Sequence, residues 1–173
     1  KKKKNAYTSF PYVGETTERI TRREALLGVS ITGMMDNPDV LFDPQIQRNG
    51  AKIVKDINKE VAAIIGINPA ARTTCVKPAG STSCILGTAS GIHPHHAKRY
   101  FRRVQANVQE NPVQHFKKIN PRAVETSVWD PNGVTEVITF LCEVPVGAKT
   151  KNQIDASKLL ESVKLTQQNW VRY

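Results

Sequence analysis

Apolar residues recur at three- and four-residue spacing at Ile46, Gly50, Ile53, Val54, Ile57, Val61, Ile64 and Ile65, the rhythm of one helix face. Asp43 stands before this run as an N-cap, Pro44 occupies the first helical position, and Gly66 supplies a stop. The pattern predicts a helix over 44–65 whose apolar stripe packs on a core and carries no chemistry. Upstream, 20–35 is also apolar, but Gly28 and Gly33 leave helix and strand both open there, and Asp36-Asn37-Pro38 ends the run.

Downstream, Arg72-Thr73-Thr74-Cys75-Val76-Lys77 is rich in β-branched residues and predicts a strand stopped by Pro78. The segment 99–104 reads as either strand or helix, 112–119 as a short helix, and 137–144 as a mostly apolar strand suited to burial. Ile154, Leu159, Leu160, Val163 and Trp170 mark a last helix. Helix, strand, loop, strand and helix in that order predict an α/β fold with helices covering a sheet or barrel.

The chain has 173 residues, 39% hydrophobic and 23% charged, enough to bury a core without disulfides or metal. Of its formal net charge of +10, four charges come from Lys1 to Lys4, so much of the excess is a terminal tail. Residues 1–6 are expected to be a disordered basic tail and 7–173 a single segment, with no repeat and no dividing linker. Three cysteines, Cys75, Cys84 and Cys142, form no C-x-x-C pair and point to a reducing compartment. No apolar run reaches a membrane span, and no apolar signal region follows the lysines, which fits a cytoplasmic protein with no membrane partner. The lysine at position 1 and the helical pattern still running at 169–173 suggest a piece of something longer.

The segment Lys77-Pro78-Ala79-Gly80-Ser81-Thr82-Ser83 places a glycine and three hydroxyls where a strand ends. Small side chains let backbone N–H groups approach phosphate oxygens, hydroxyls add donors, and a helix starting at Cys84 would direct its positive end at the same point. The spacing is neither a Walker A loop nor Gly-x-Gly-x-x-Gly. On composition alone, an anion cradle and an ordinary polar turn both remain open.

Gly91-Ile92-His93-Pro94-His95-His96 follows closely. Its three histidines do not share one helix face and have no carboxylate beside them in sequence, so the reading favours a surface or substrate-edge loop over a metal site. Lys98, Arg99, Arg102 and Arg103, interleaved with Tyr100 and Phe101, would suit phosphate pairing and base stacking. They support an alternative, a non-enzymatic basic module for nucleic acid or polyphosphate, beside the plainer reading of a solvated basic face.

The stretch from Asn68-Pro69-Ala70-Ala71-Arg72-Thr73-Thr74-Cys75-Val76-Lys77-Pro78 through Ala79-Gly80-Ser81-Thr82-Ser83-Cys84-Ile85-Leu86-Gly87, and on to Gly91-Ile92-His93-Pro94, closely resembles the catalytic chain of ribonucleotide reductases. It most resembles the adenosylcobalamin-dependent, class II, ribonucleoside-triphosphate type, with similarity from about Tyr7 through Thr32-Gly33-Met34-Met35-Asp36-Asn37-Pro38 to the last helix. The resemblance implies the later half of a ten-stranded α/β barrel. It assigns the substrate phosphates to Pro78, Ala79, Gly80, Ser81, Thr82 and Ser83, and sets Gly91, Ile92, His93 and Pro94 near the barrel mouth. It also implies adenosylcobalamin as cofactor, a ribonucleoside triphosphate or diphosphate as substrate, a thioredoxin-type or dithiol reductant, and the rest of a reductase chain as partner.

The chain departs from that family at the radical site. Reductases carry a thiyl radical on a cysteine within an Asn-Pro-Cys-Gly-Glu type motif, whereas Asn68-Pro69 here is followed by Ala70. No residue of this chain is therefore expected to be catalytic, and the chain alone is expected not to turn over.

Overall fold

The computed structural model describes Phe10 and residues 12–172, so the tail expected over 1–6 lies outside the described residues. In chain order the elements are helices α1 (Glu15–Glu24), α2 (Pro38–Leu41), α3 (Pro44–Ile65) and α4 (Gly80–Leu86), strand β1 (Arg99–Asn107), helix α5 (Asn111–Ile119), a 3-10 turn (Pro121–Ala123), strands β2 (Val124–Thr126) and β3 (Thr135–Glu143), helix α6 (Ala156–Thr166) and a π-helical turn (Gln167–Val171). They divide into two compact units: His96–Pro145, and the described residues on either side of it.

In the flanking unit, α3 has the ends that its sequence predicts. Asp43 Oδ1 accepts the N–H groups of Gln45 and Ile46 at 2.8 Å each, using two amides that otherwise lack an acceptor in the first turn. At the other end Gly66 takes φ 75° and its N–H donates to the Ala62 carbonyl at 2.9 Å.

The face that α3 buries shares only Gly50 and Val54 with the predicted stripe. Gln47, Ala51 and Ala62 are buried, with Val54 and Asn58 half-buried in the same line, whereas Ile46, Ile53, Ile57, Val61, Ile64 and Ile65 are exposed. At Gly50 the inward position is small because a large ring lies against it. A Cβ on Gly50 would stand 3.1 Å from Cζ3 of Trp170, and close approach of this kind selects for small side chains. Gln47 crosses the same interface and donates to the Leu41 carbonyl at 2.7 Å and the Thr166 hydroxyl at 3.3 Å.

The strand predicted over 72–77 is reduced to one parallel bridge, Val29 with Thr74. Leu27 N–H donates to Arg72 O and Val29 N–H to Thr73 O, both at 3.0 Å, and Cys75 N–H returns to Val29 O at 2.9 Å. This pairing settles the open reading upstream: α1 ends at Glu24, and the chain then runs extended past Gly28. Trp170 locks the bridge from behind, since Thr74 Oγ1 donates to its carbonyl at 2.7 Å and its indole N–H donates to Cys75 O at 3.2 Å.

The unit His96–Pro145 is an antiparallel sheet in the order β1-β3-β2, with Arg99 opposite Glu143, Asn107 opposite Thr135 and Val124 opposite Ile138. The segment 99–104, open in sequence, is strand. Helix α5 covers one face, where Phe116 meets Phe140 at a ring separation of 5.6 Å and Lys117 pairs with the buried Glu136. Of the apolar run 137–144 predicted as a buried strand, only Val137 and Ile138 are buried; Phe140, though it meets Phe116, is 40% exposed, and Leu141 on the opposite face is 69% exposed. An antiparallel sheet with one covered face leaves outward positions such as Leu141 to solvent.

Candidate phosphate-binding site

The chain leaves the Val29–Thr74 bridge and reaches Ala79, which adopts φ 48° and ψ 48°, and α4 begins at once at Gly80. The expected loop over 78–83 followed by a helix from Cys84 is therefore corrected: four of its six residues are already helical. Left-handed backbone at a non-glycine residue costs of order 1 kcal/mol, and here it turns the chain sharply into the helix.

This early start changes which donors are available. An N-cap alanine has no side-chain acceptor, and no side chain caps α4. The first intrahelical bond of α4 is Ser83 N–H to Ala79 O at 3.0 Å, so the amides of Gly80, Ser81 and Thr82 precede the helical ladder. All three residues are exposed, and a Cβ built on Gly80 would meet nothing within 4 Å. Ser83 differs: it is 1% exposed, and its hydroxyl donates inward to Gly80 O at 2.8 Å. Cys84 Sγ donates to the same carbonyl at 3.1 Å.

The second predicted segment lies against the first. Gly91 has φ 56° and packs so tightly on Lys77 that a Cβ would overlap the Lys77 carbonyl oxygen. Ser90 Oγ donates to Pro78 O. Gly91 and Ile92 are buried, while His93 is exposed with Nδ1 3.1 Å from Ser90 O, closing a local turn. The structure thus brings 78–83 and 90–93 together, with Ser83 and Ile92 as packing residues and His93 at the surface.

Two side chains hold this arrangement, and one of them corrects an expectation: His95, read as part of a surface or substrate-edge loop, is 5% exposed. Asp36, read only as a turn residue, accepts the Ala89 N–H at 3.1 Å and pairs with the buried His95 through Nε2. Their separation of 59 positions gives no periodic signal, so only the fold could reveal the pair. Among the described residues no three His, Cys, Asp or Glu side chains converge.

No family model matches the chain. It is 21% identical over 161 residues to a probable adenosylcobalamin-dependent ribonucleoside-triphosphate reductase of Dictyostelium discoideum, a match covering 89% of this chain and 20% of that protein. It is likewise 21% identical over 169 residues to the adenosylcobalamin-dependent ribonucleoside-triphosphate reductase of Lactobacillus gasseri, covering 82% of this chain and 22% of the relative. A crystal structure of a B12-dependent class II ribonucleotide reductase superposes with a TM-score of 0.72 over 91% of this chain and 26% of that one, at 16% identity. The chain is similar to adenosylcobalamin-dependent ribonucleotide reductases. It spans about a fifth of the length of the curated relatives, and its mixed α/β fold is shared with part of the class II reductase structure. No helix of the described residues is long and apolar enough to cross a membrane.

Proposed function

We propose that this chain is a segment of the later half of a ribonucleotide reductase catalytic barrel, and that the start of α4 binds the phosphates of a ribonucleoside di- or triphosphate. The observation that carries the reading is the uncapped start of α4, where the amides of three exposed residues, Gly80, Ser81 and Thr82, stand ahead of the helical ladder. A phosphate oxygen would accept these N–H groups together with the Ser81 and Thr82 hydroxyls. Hydrogen bonds to a charged acceptor contribute about 1.5–3 kcal/mol each, so a few would hold a polyphosphate. The positive end of the helix adds to the attraction.

The work of this segment is binding and orientation, while the radical cysteine, reductant contacts and final barrel strand belong to the rest of a longer cytoplasmic enzyme. Adenosylcobalamin enters this reading with the relatives' names. His95 is buried against Asp36 and His93 is bonded back to Ser90, so neither of these two would hold the cofactor.

The basic cluster supports the nucleic-acid alternative less well than its sequence suggests. Arg99 pairs with Glu143 at 2.8 Å and Arg103 pairs with Glu125, so two of its four cations are neutralised within the sheet.

Titration of the labelled chain with ATP, with adenosine as control, tests the phosphate reading. Amide shifts are expected at Gly80, Ser81 and Thr82 with ATP alone. Gly80→Val, which meets open space in the fold, should abolish them without altering the melt. Equal shifts with adenosine, or an unaffected Gly80→Val variant, would refute the reading.

A further inference from the structure

We infer that Asp36 and His95 are positioning residues for the phosphate loop, acting through the segment 88–91; this rests on the phosphate reading above. The connection can be followed bond by bond. His95, 5% exposed, donates from Nε2 to Asp36 Oδ1, and its backbone is fixed on both sides: its N–H donates to Lys149 O at 2.9 Å, and its carbonyl accepts Lys151 N–H at 2.8 Å. Asp36, held on that anchor, accepts the Ala89 N–H.

The segment around Asp36 then grips 88–91 at further points. Gly33 N–H donates to Ala89 O at 2.8 Å, Thr32 Oγ1 donates to the same carbonyl at 3.0 Å and accepts Gly91 N–H at 3.1 Å, and Met34 N–H donates to Gly91 O at 3.1 Å. Every one of these bonds fixes Ala89 or Gly91, leaving Ser90 between them to point at the phosphate loop. Ser90 Oγ donates to Pro78 O, and Gly91 closes on Lys77 without room for a methyl group. Pro78 immediately precedes Ala79, whose left-handed backbone directs the amides of α4.

The chain of contacts therefore runs from a buried acid–imidazole pair to the residue that aims the phosphate donors. Pre-organised donors bind an anion without first being ordered, and this is how such a clamp would raise affinity. An alternative role, simple core stability, would spread its effect over the whole unit instead of the loop.

The experiment separates these on the full 173-residue chain. Amide order at Ala79–Thr82 is measured by nitrogen-15 relaxation without ligand, and ATP affinity by titration, for Asp36→Asn, His95→Gln, Ser90→Ala and Ser90→Thr. Ser90→Ala lies outside the core and should not affect folding. It should loosen Ala79–Thr82 and weaken ATP about tenfold, the loss of one hydrogen bond's worth of ordering. Ser90→Thr keeps the hydroxyl and should restore both. Asp36→Asn and His95→Gln should loosen the same residues while leaving the order of α3 unchanged. Unchanged order at Ala79–Thr82 in these variants would overturn the positioning role, whatever the affinity. If order falls as expected while ATP affinity stays constant and Gly80→Val is also silent, the phosphate reading fails and the clamp stands as a structural device only.

Discussion

Gly50 faces the six-membered ring of Trp170 so closely that a Cβ at this position would lie 3.1 Å from Cζ3. The ring cannot retreat easily, because the indole N–H is bonded to Cys75 O and the Trp170 carbonyl to the Thr74 hydroxyl. Alanine normally stabilises a helix interior over glycine by roughly 0.5–1 kcal/mol. Here the contact outweighs that gain: Gly50→Ala should destabilise by about 1 kcal/mol and Gly50→Val by about 2–3 kcal/mol, in the range of overpacked cores. Urea unfolding checks both, and a Gly50→Ala midpoint above the parent would mean that Trp170 yields.

Gly91→Ala combines two faults, a positive φ and an overlap with the Lys77 carbonyl. It should cost about 2 kcal/mol or more. Because the clash falls on the residue before Pro78, the amide resonances of Ala79 and Gly80 should move as well. A normal melting temperature with unmoved loop resonances would contradict the packing described.

The exposed isoleucines of α3 give a test of its orientation. Ile53 and Ile57 are 58% and 54% exposed, so the double substitution of both by lysine should change stability by no more than about 1 kcal/mol. Ala51 and Ala62, each 1% exposed, should tolerate leucine badly, at about 1–3 kcal/mol. The reverse ranking in chemical unfolding would restore the orientation that the apolar stripe predicts.

That contrast also measures how far the fold could be read from the residues. The ends of α3 were legible because Asp43, Pro44 and Gly66 act locally, each through its own backbone preference or cap. Its buried face was not, because Trp170, 120 positions away from Gly50, decides it by demanding small neighbours. The β-branched run 72–77 was legible as extended chain, but its partner around Gly28 pairs only briefly, so one bridge forms. At the site, 78–83 was recognisable as small and polar, yet the serine and threonine run does not say where a helix starts. Ala79 sets that point by its left-handed turn, and Ser83 then folds its hydroxyl back on Gly80.

Asp130 carries the pH prediction. The Thr135 hydroxyl beside it, followed by the Asn132 amide, holds its carboxyl below the usual value of 3.8. A depressed folded-state value means that the ionised form is favoured by folding, so the contribution is complete above the unfolded value and fades as pH falls through the folded one. The turn 127–134 should therefore loosen only in acid below the usual aspartate range, seen as faster hydrogen exchange at Asn132. Asp130→Asn should remove that dependence, and an Asp130 carboxyl titrating above 3.8 would contradict it.

The π-helical turn after α6 adds a constraint on helical pitch. Arg172 N–H donates to Gln167 O at 2.9 Å, one residue beyond the α-helical reach, so the turn holds an extra residue within its ring. Winding the same five residues at ordinary α-helical pitch would instead carry Trp170 round by a substantial fraction of a turn. The indole would then leave Cys75, Thr74 and Gly50 together. A change of pitch here would act at the bridge, at the helix face and at the approach to α4 at once.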